Sequence, residues 1–339
     1  CYCCIVAFLV FQTSFLGDTI LTTPLLAELA AREAVDVVVT PEGAAILRGH
    51  PAVRALIHYD KRGVDAGIGG LHRLSRRLRE GRYSAVYLAQ GSLRSAMLAL
   101  AARIPRRVGF DTSAGRTLYS TRVRYRRDAH HSERLWRLAA GDGAPSPAAD
   151  VLRPRLYPGA DERAAVDALL GDFVRGGALV GLAPGSIWGT KRWPHFAQLA
   201  TALPDARFVV IGSSADTTLA ARIVEAAPGR VLDATGRLTL LGSAELIARC
   251  AVLVANDSAP THLASGVGTP TLTLFGPTVP EFGFGPLAPR SESLGVEHLA
   301  CRPCHPHGPA TCPLGHFQCM RSLEPSRVVA RVRNLLVPT

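Results

Sequence analysis

Lysine is nearly absent from this chain: of its 38 basic residues only Lys61 and Lys191 are lysine. Long apolar runs are missing as well. None reaches the roughly 18–20 residues a spanning helix needs, residues 4–11 being the longest candidate, which excludes an integral membrane protein built on helices. There is no G-x-G-x-x-G, no G-x-x-x-x-G-K-[ST] and no G-x-S-x-G, so the ordinary nicotinamide, P-loop and serine-hydrolase readings have no motif behind them. Fixed-period repeats and low-complexity tracts are also lacking.

What is present is apolar side chain in quantity. Hydrophobic residues make up 47% and charged ones 19%, enough for buried cores and unlike a disordered chain. At 339 residues the chain exceeds the roughly 250–300 at which single cores split, so two domains are expected. Residues 5–10 read as a first buried strand rather than a signal peptide, since neither a basic leader nor a small-residue cleavage site accompanies them; this places the chain in the cytoplasm. The sequence opens on Cys1 rather than Met, and no function is read onto Cys1, Cys3 or Cys4.

The net charge is +11, and it is uneven. Through Asp150 there are 21 basic and 13 acidic residues, and beyond it 17 and 14, so the basic surface belongs mainly to the first half. Such a surface suits phosphates, whether of nucleic acid, anionic lipid or a phosphorylated glycan.

Along the chain, strand-like runs alternate with helical stretches: 5–10, 35–39 and 85–88 as strands, 23–32 and 92–103 as helices. Alternation of this kind implies parallel βαβ units. Between residues 141 and 158 the composition turns to Gly, Ala, Pro and Ser, a connector. The pattern then restarts, with strands at 179–183, 207–211, 251–255 and 271–275 and helices at 194–202, 217–226 and from Pro260. The predicted boundaries are 1–160, 161–324 and a final amphipathic helix in 325–339 that could pack back across the domain boundary. Each strand end is followed by Gly, Ser, Asn or Asp, where open α/β sheets hold ligands.

Three segments carry the chemistry. Residues 12–19 join the first strand to a helix expected to run through Leu25; Asp18 there could serve as a general base or simply cap the helix. Residues 183–194 combine Gly185 and Gly189, which permit close backbone approach, with the hydroxyls of Ser186 and Thr190 and the charges of Lys191 and Arg192. Together they form an anion cradle suited to a diphosphate, or a solvated loop anchored by Trp193. A site that needs a compact point charge explains one of two lysines standing at Lys191. Residues 255–264 form a strand end, a polar turn at Asn256 and Asp257, and a helix opened by Ser258 with Pro260 in its first turn. Free amides at that start favour phosphate, and Asp257 and His262 could position hydroxyls, although a histidine there can equally be structural.

In this order and at these separations, residues 13–26, 184–194, 256–262 and 274–278 resemble glycosyltransferase family 9, the ADP-heptose:lipopolysaccharide heptosyltransferases, and most closely the heptosyltransferase II group. The resemblance covers nearly the whole chain. It implies an α/β fold of GT-B architecture, two Rossmann-like domains facing a cleft, with the acceptor held by the N-terminal domain and the ADP-sugar by the C-terminal one. It further implies an inverting transfer of L-glycero-D-manno-heptose from ADP-heptose to a heptosyl-Kdo-lipid A acceptor in lipopolysaccharide core biosynthesis, with no cofactor or catalytic metal. Asp18 matches the family's base and Lys191 the lysine that offsets charge on the departing ADP, an electrostatic role. Asp257 matches the donor-binding aspartate; Ser258, Thr261 and His262 lie where the family holds diphosphate and sugar, and Ser186, Thr190 and Arg192 add phosphate contacts. Asp216, beyond the 207–211 strand, is a candidate for a ribose hydroxyl. One departure is that many relatives carry Thr-Gly where Ser258 and Ala259 stand, and the added Cβ would crowd a phosphate.

Cys301, Cys304, Cys312 and Cys319, interleaved with His305, His307 and His316, hold enough thiolate and imidazole for a structural zinc ion, or are free thiols in a folded loop. Sequences like heptosyltransferase II often carry a similar segment, and the resemblance implies no catalytic metal there. The alternatives are a family member with another acceptor or nucleotide sugar, and an arginine-rich nucleic-acid-binding protein with a Cys/His zinc module. No nucleic-acid motif or base-stacking platform accompanies the arginines, so nucleic acid is not the expected partner. A lipid-linked acceptor would instead place the basic half against the anionic cytoplasmic face of the inner membrane, peripherally and releasable by salt.

Overall fold

Aliphatic and β-branched runs bounded by Gly, Asn and Asp form strands covered on both faces, as parallel sheets require. The computed structural model describes residues 7–61, 63–175 and 177–337. Cys1, Cys3 and Cys4, the first two residues of the strand expected at 5–10, and the last two of the 325–339 segment lie outside the described residues. The chain divides into two compact units, Cys1–Tyr157 and Pro158–Thr339.

The first unit runs β1 (Ala7–Gln12), α1 (Leu16–Leu21), α2 (Thr23–Ala30), β2 (Ala34–Val39), α3 (Pro41–Leu47), β3 (Ala55–His58), α4 (Gly67–Glu80), β4 (Ala85–Leu88), α5 (Leu93–Ala101), β5 (Arg106–Phe110), β6 (Thr121–Val123), α6 (His131–Ala140) and α7 (Ala149–Leu152). The second continues with α8 (Ala160–Leu170), β7 (Leu179–Ala183), α9 (Phe196–Ala202), β8 (Arg207–Val210), α10 (Thr217–Ala226), β9 (Val231–Asp233), α11 (Leu240–Ala248), β10 (Val252–Asn256), α12 (Ala259–Val267), β11 (Thr271–Phe275), β12 (Glu292–Gly295), α13 (Gln318–Arg321) and α14 (Pro325–Leu336).

Each unit holds one six-stranded sheet, ordered β3-β2-β1-β4-β5-β6 and β12-β11-β10-β7-β8-β9, and every pairing is parallel. Counted from its own first strand, the second sheet has the order of the first. Both are Rossmann-like, and both have a topological switch point between their first and fourth strands, β1 and β4 in one, β7 and β10 in the other. At such a point the loops leaving the two strands run apart and open a crevice, so its carboxyl edge is where a ligand site forms.

Helix α14 buries Val328, Val329, Val332 and Leu335 in the core of the second unit, against α9, β10 and β11. The single helix expected from residue 19 through Leu25 is two. Pro24 sits at the start of α2 without an N–H to give to Ile20, and the Thr23 hydroxyl satisfies the Ile20 carbonyl at 2.9 Å, breaking the run at Thr22.

Candidate active site

At the switch point of the first unit, β1 ends in Gln12, whose fully buried amide donates to the Thr22 hydroxyl at 2.8 Å and so ties the strand end to the break between α1 and α2. The loop between is held from two sides at Thr13. Lys61 donates from Nζ to the Thr13 carbonyl at 2.7 Å, and Gln90, beyond β4, donates to the Thr13 hydroxyl at 2.6 Å. Asp18 then falls in the first turn of α1, where a negative charge suits the helix dipole, but the N-cap is Phe15, so Asp18 is not the cap residue. Its Oδ2 accepts from the Ser14 hydroxyl at 2.8 Å, and its Oδ1 lies 3.6 Å from Nε2 of His131, the first residue of α6. Burial, with the Arg134 guanidinium nearby, pushes the His131 imidazole down to about 3, so it is neutral at pH 7. The Asp18 carboxylate is 21% exposed. Sequence reasoning missed Gln90 and His131, which lie far from Asp18 along the chain, although the rarity of lysine was a signal for Lys61.

The second unit builds its site from four loops at the carboxyl ends of β7, β8, β10 and β11. Asn256, wholly buried at the end of β10, accepts from the Trp193 amide at 3.0 Å and donates to the Pro184 carbonyl at 2.8 Å. One side chain thus pins both ends of the 184–193 loop to the sheet. Lys191, in a 3₁₀ turn over Gly189–Lys191, is thereby placed with its Nζ 2.6 Å from Asp257 Oδ2. The Thr278 hydroxyl, beyond β11, donates to the same oxygen at 2.6 Å. Both charges are almost out of water, 11% exposed at Lys191 and 9% at Asp257. A pair this buried persists because each charge compensates the other and the remaining lone pair is satisfied by a third group.

The other expected site residues fall around this pair, with varied orientations. Arg192 grips the 184–193 loop from within, donating from Nε and Nη2 to the Ser186 carbonyl at 3.0 and 2.8 Å, while the Ser186 hydroxyl accepts from the Trp188 amide at 3.3 Å. The Thr190 hydroxyl donates to the Pro309 carbonyl. Ser258 is the N-cap of α12 by position, yet its hydroxyl donates to the Asn256 carbonyl at 3.2 Å rather than capping. Thr261 turns into the sheet, 3.1 Å from the Thr273 hydroxyl, and His262 is buried beside it on α12. Asp216 is buried as well; its Oδ2 accepts from the amide and hydroxyl of Ser213, both at 2.9 Å. This accounts for Gly185, because a Cβ there would stand 2.4 Å from Asp216 Oδ1. The close approach at Gly185 is to that carboxylate.

The cysteine-rich segment is part of this site. Gly308, at φ +82°, lies over Lys191 so closely that a Cβ would come 3.1 Å from the lysine Cε, and Pro309 caps Thr190. Arg302 anchors the segment, donating to the carbonyls of Gly276 at 2.7 Å and Thr278 at 3.1 Å. Among the described residues no three His, Cys, Asp or Glu side chains gather to hold a metal ion, and Cys301, Cys304, Cys312 and Cys319 are free cysteines. Cys319 belongs to the apolar core, where burial pushes its thiol up to about 11, whereas Cys304 is exposed.

With this geometry in place, comparison with known proteins gives the family. The family model described as "Glycosyltransferase family 9 (heptosyltransferase)" matches residues 71–313, and the chain belongs to that family. The chain is 28% identical to "Lipopolysaccharide heptosyltransferase 2" of Salmonella typhimurium over 97% of its own length and 98% of that protein's. It is 31% identical to "Lipopolysaccharide heptosyltransferase 1" of Pseudomonas aeruginosa, covering 87% of this chain and 85% of that one. Among solved structures, E. coli ADP-heptose lps heptosyltransferase II superposes with a TM-score of 0.80 at 26% identity over 98% of both chains. The protein is a glycosyltransferase with the α/β, GT-B-like fold of that family, and the nucleic-acid-binding alternative is not favoured.

Proposed function

We propose that the chain moves L-glycero-D-manno-heptose from ADP-heptose to a heptosyl-Kdo-lipid A acceptor of the lipopolysaccharide inner core, with inversion at the anomeric carbon. The observation that carries this reading is the buried Lys191–Asp257–Thr278 cluster at the switch point of the second sheet, in a chain whose relatives of matching length are named heptosyltransferases. In the proposed reaction an acceptor hydroxyl oxygen attacks the anomeric carbon of the donor from the side opposite the diphosphate. The bond from that carbon to the β-phosphate oxygen breaks, its electron pair stays on ADP, and the hydroxyl proton passes to the Asp18 carboxylate. An ammonium has three N–H donors. One of those on Lys191 meets Asp257, and in this reading the others offset the charge that grows on the departing ADP.

In this reading the donor is held by the second unit, through Asp257, Ser186, Thr190, Arg192, Ser258 and His262 with Thr261 and Asp216 behind them, and the acceptor by the first unit. The hydroxyls of Ser258 and Ser186, in the loops after β10 and β7, are the ones offered to phosphate in this reading. Those of Thr261 and Asp216's carboxylate act instead as supports, holding β11 to α12 and the 213–216 turn in place. No cofactor is required. Among the described residues no helix is long and apolar enough to cross a membrane, and the basic first unit suits peripheral contact with the anionic cytoplasmic face of the inner membrane.

Calorimetric titration with ADP, UDP and GDP, paired with a transfer assay on ADP-heptose and a Kdo-lipid A acceptor carrying one heptose, tests the reading. Selective binding of ADP and addition of one heptose are expected. Equal affinity for the three nucleotides, or no transfer to this acceptor, would overturn it.

A further inference from the structure

Helices α4 and α5 lie side by side on the first sheet and bury Leu74, Leu78, Ala96 and Ala99 in the same core, so their opposite sides face outward together. The bond from Arg79 to the Ala101 carbonyl, 2.7 Å, locks their carboxyl ends. That outward surface is unusual for a soluble protein. On α5, Leu93, Met97 and Leu100 recur at i, i+4 and i+7 and are each about half exposed, at 46%, 45% and 46%. At the head of α4, Val64 and Ile68 are 80% and 85% exposed, and the Val64 carbonyl is held by Arg73 at 2.7 Å. Beside them α4 turns Arg73, Arg76, Arg77 and Arg79 to solvent. Between Arg73 and Arg107 the chain carries nine arginines against one acid, Glu80.

An apolar stripe at helical spacing, flanked by cations of one sign, is the pattern of a surface that lies in a bilayer interface: the apolar side chains enter the headgroup region and the arginines meet lipid phosphates. The charge selects among occupants. A second copy of this chain would bring arginine against arginine, whereas an anionic bilayer neutralises them. We propose that the outward face of α4 and α5 is the site at which this protein docks on anionic membranes, by shallow insertion of Ile68, Met97 and their apolar neighbours together with arginine–phosphate contacts. This deepens the reading of a lipid-linked acceptor, and it changes one expectation: charge alone predicts complete release by salt, while insertion leaves a salt-resistant fraction.

Flotation of the full chain with vesicles of phosphatidylethanolamine and phosphatidylglycerol, against phosphatidylcholine alone, tests the site. Binding to the anionic vesicles only is expected, weakened but not abolished at high salt. Met97→Ser with Leu100→Ser should remove the salt-resistant part and lower partitioning by about 10-fold, and Arg76→Glu with Arg77→Glu should remove most of the salt-sensitive part. Both variants change exposed side chains, and an unaltered thermal melt verifies their folding. Wild-type flotation by both variants overturns the proposal, as does a dimer in solution that Met97→Ser with Leu100→Ser turns into a monomer. Flotation is read without turnover, so a chain that binds vesicles but transfers no heptose contradicts the proposed reaction and leaves this site standing.

Discussion

The two units place an aspartate just beyond the same kind of strand end, at the switch point of a sheet with the same strand order, and then treat it in opposite ways. Asp257 is locked at 2.6 Å to the ammonium of Lys191 and receives Thr278 as well, with both charges nearly out of water. Asp18 meets a serine hydroxyl and an imidazole that burial keeps neutral, and it retains twice the exposure, 21% against 9%. An ammonium in contact, in a site this buried, fixes the carboxylate as one half of an ion pair. At Asp18 a serine hydroxyl and an imidazole orient the carboxylate instead. The comparison teaches that two sheets of one strand order can set an aspartate at their switch points, after the first strand in one unit and the fourth in the other, with one fixed in an ion pair and the other left more open, the one we propose as proton acceptor.

The comparison breaks most directly at Asp18. Asp18→Asn keeps the shape and an oxygen for Ser14 but cannot take a proton, so kcat should fall by about 10²- to 10⁴-fold, the range for a general base. The urea midpoint should move less than when Lys191 is removed, which leaves a buried carboxylate without its counter-ion. A rate within a few-fold of wild type would remove the distinction between the two aspartates.

Lys191→Ala should do the converse. It leaves Asp257 buried without its counter-ion, a change that costs about 3–5 kcal/mol, readable as a lowered urea midpoint. Adding Asp257→Asn should return most of that stability without restoring turnover, since the penalty belongs to the orphaned charge rather than to a lost contact. If Lys191→Ala melts like wild type, the pair is not a support and the contrast fails on the second side.

Much of the scaffold was legible in the sequence. The strands at 85–88 and 271–275 and the closing helix at 325–336 follow from apolar runs between breakers, because these patterns are local. Asp18, Lys191 and Asp257 could also be singled out, as each sits in a polar turn right after a buried strand. What stayed hidden depends on distant partners. Nothing in residues 301–312 announces that Gly308 and Pro309 will cover Lys191 and Thr190, more than a hundred positions away. Nor does spacing show that Asn256 will hold both ends of the 184–193 loop, or that Thr278 will complete the environment of Asp257. Gly185 was read as room for a ligand when the room is taken by Asp216, since a glycine signals close approach without saying of what. The break at Thr22 was available in principle from Pro24.

A smaller effect sharpens the contrast through acid. The first unit buries His131 beside Asp18 and His50 between α3 and β3, and both resist protonation, so acid should weaken this unit. Burial pushes His50 down to about 4 and His131 to about 3, from an ordinary value near 6.5. His50 is 5% exposed, accepts from the Ala52 amide through Nδ1 at 3.2 Å, and packs edge-on against Tyr157 at 5.0 Å between ring centroids. Above pH 6.5 neither state binds these protons and stability is flat. Below it the unfolded chain takes them up while the folded one does not, so stability falls with pH until about pH 4, where folded His50 begins to titrate. Each histidine then removes up to about 2 kcal/mol between pH 6.5 and 5, at roughly 1.4 kcal/mol per pH unit. His50→Asn, which keeps an acceptor for the Ala52 amide, should flatten the curve by one proton's worth, measured as urea midpoints between pH 7 and 5. Amide exchange at pH 5 should open the first unit before the second, because His50 and His131 both lie in the first unit. Loss of both units together, with no effect of His50→Asn, would mean that the two sites differ in chemistry but not in what holds them.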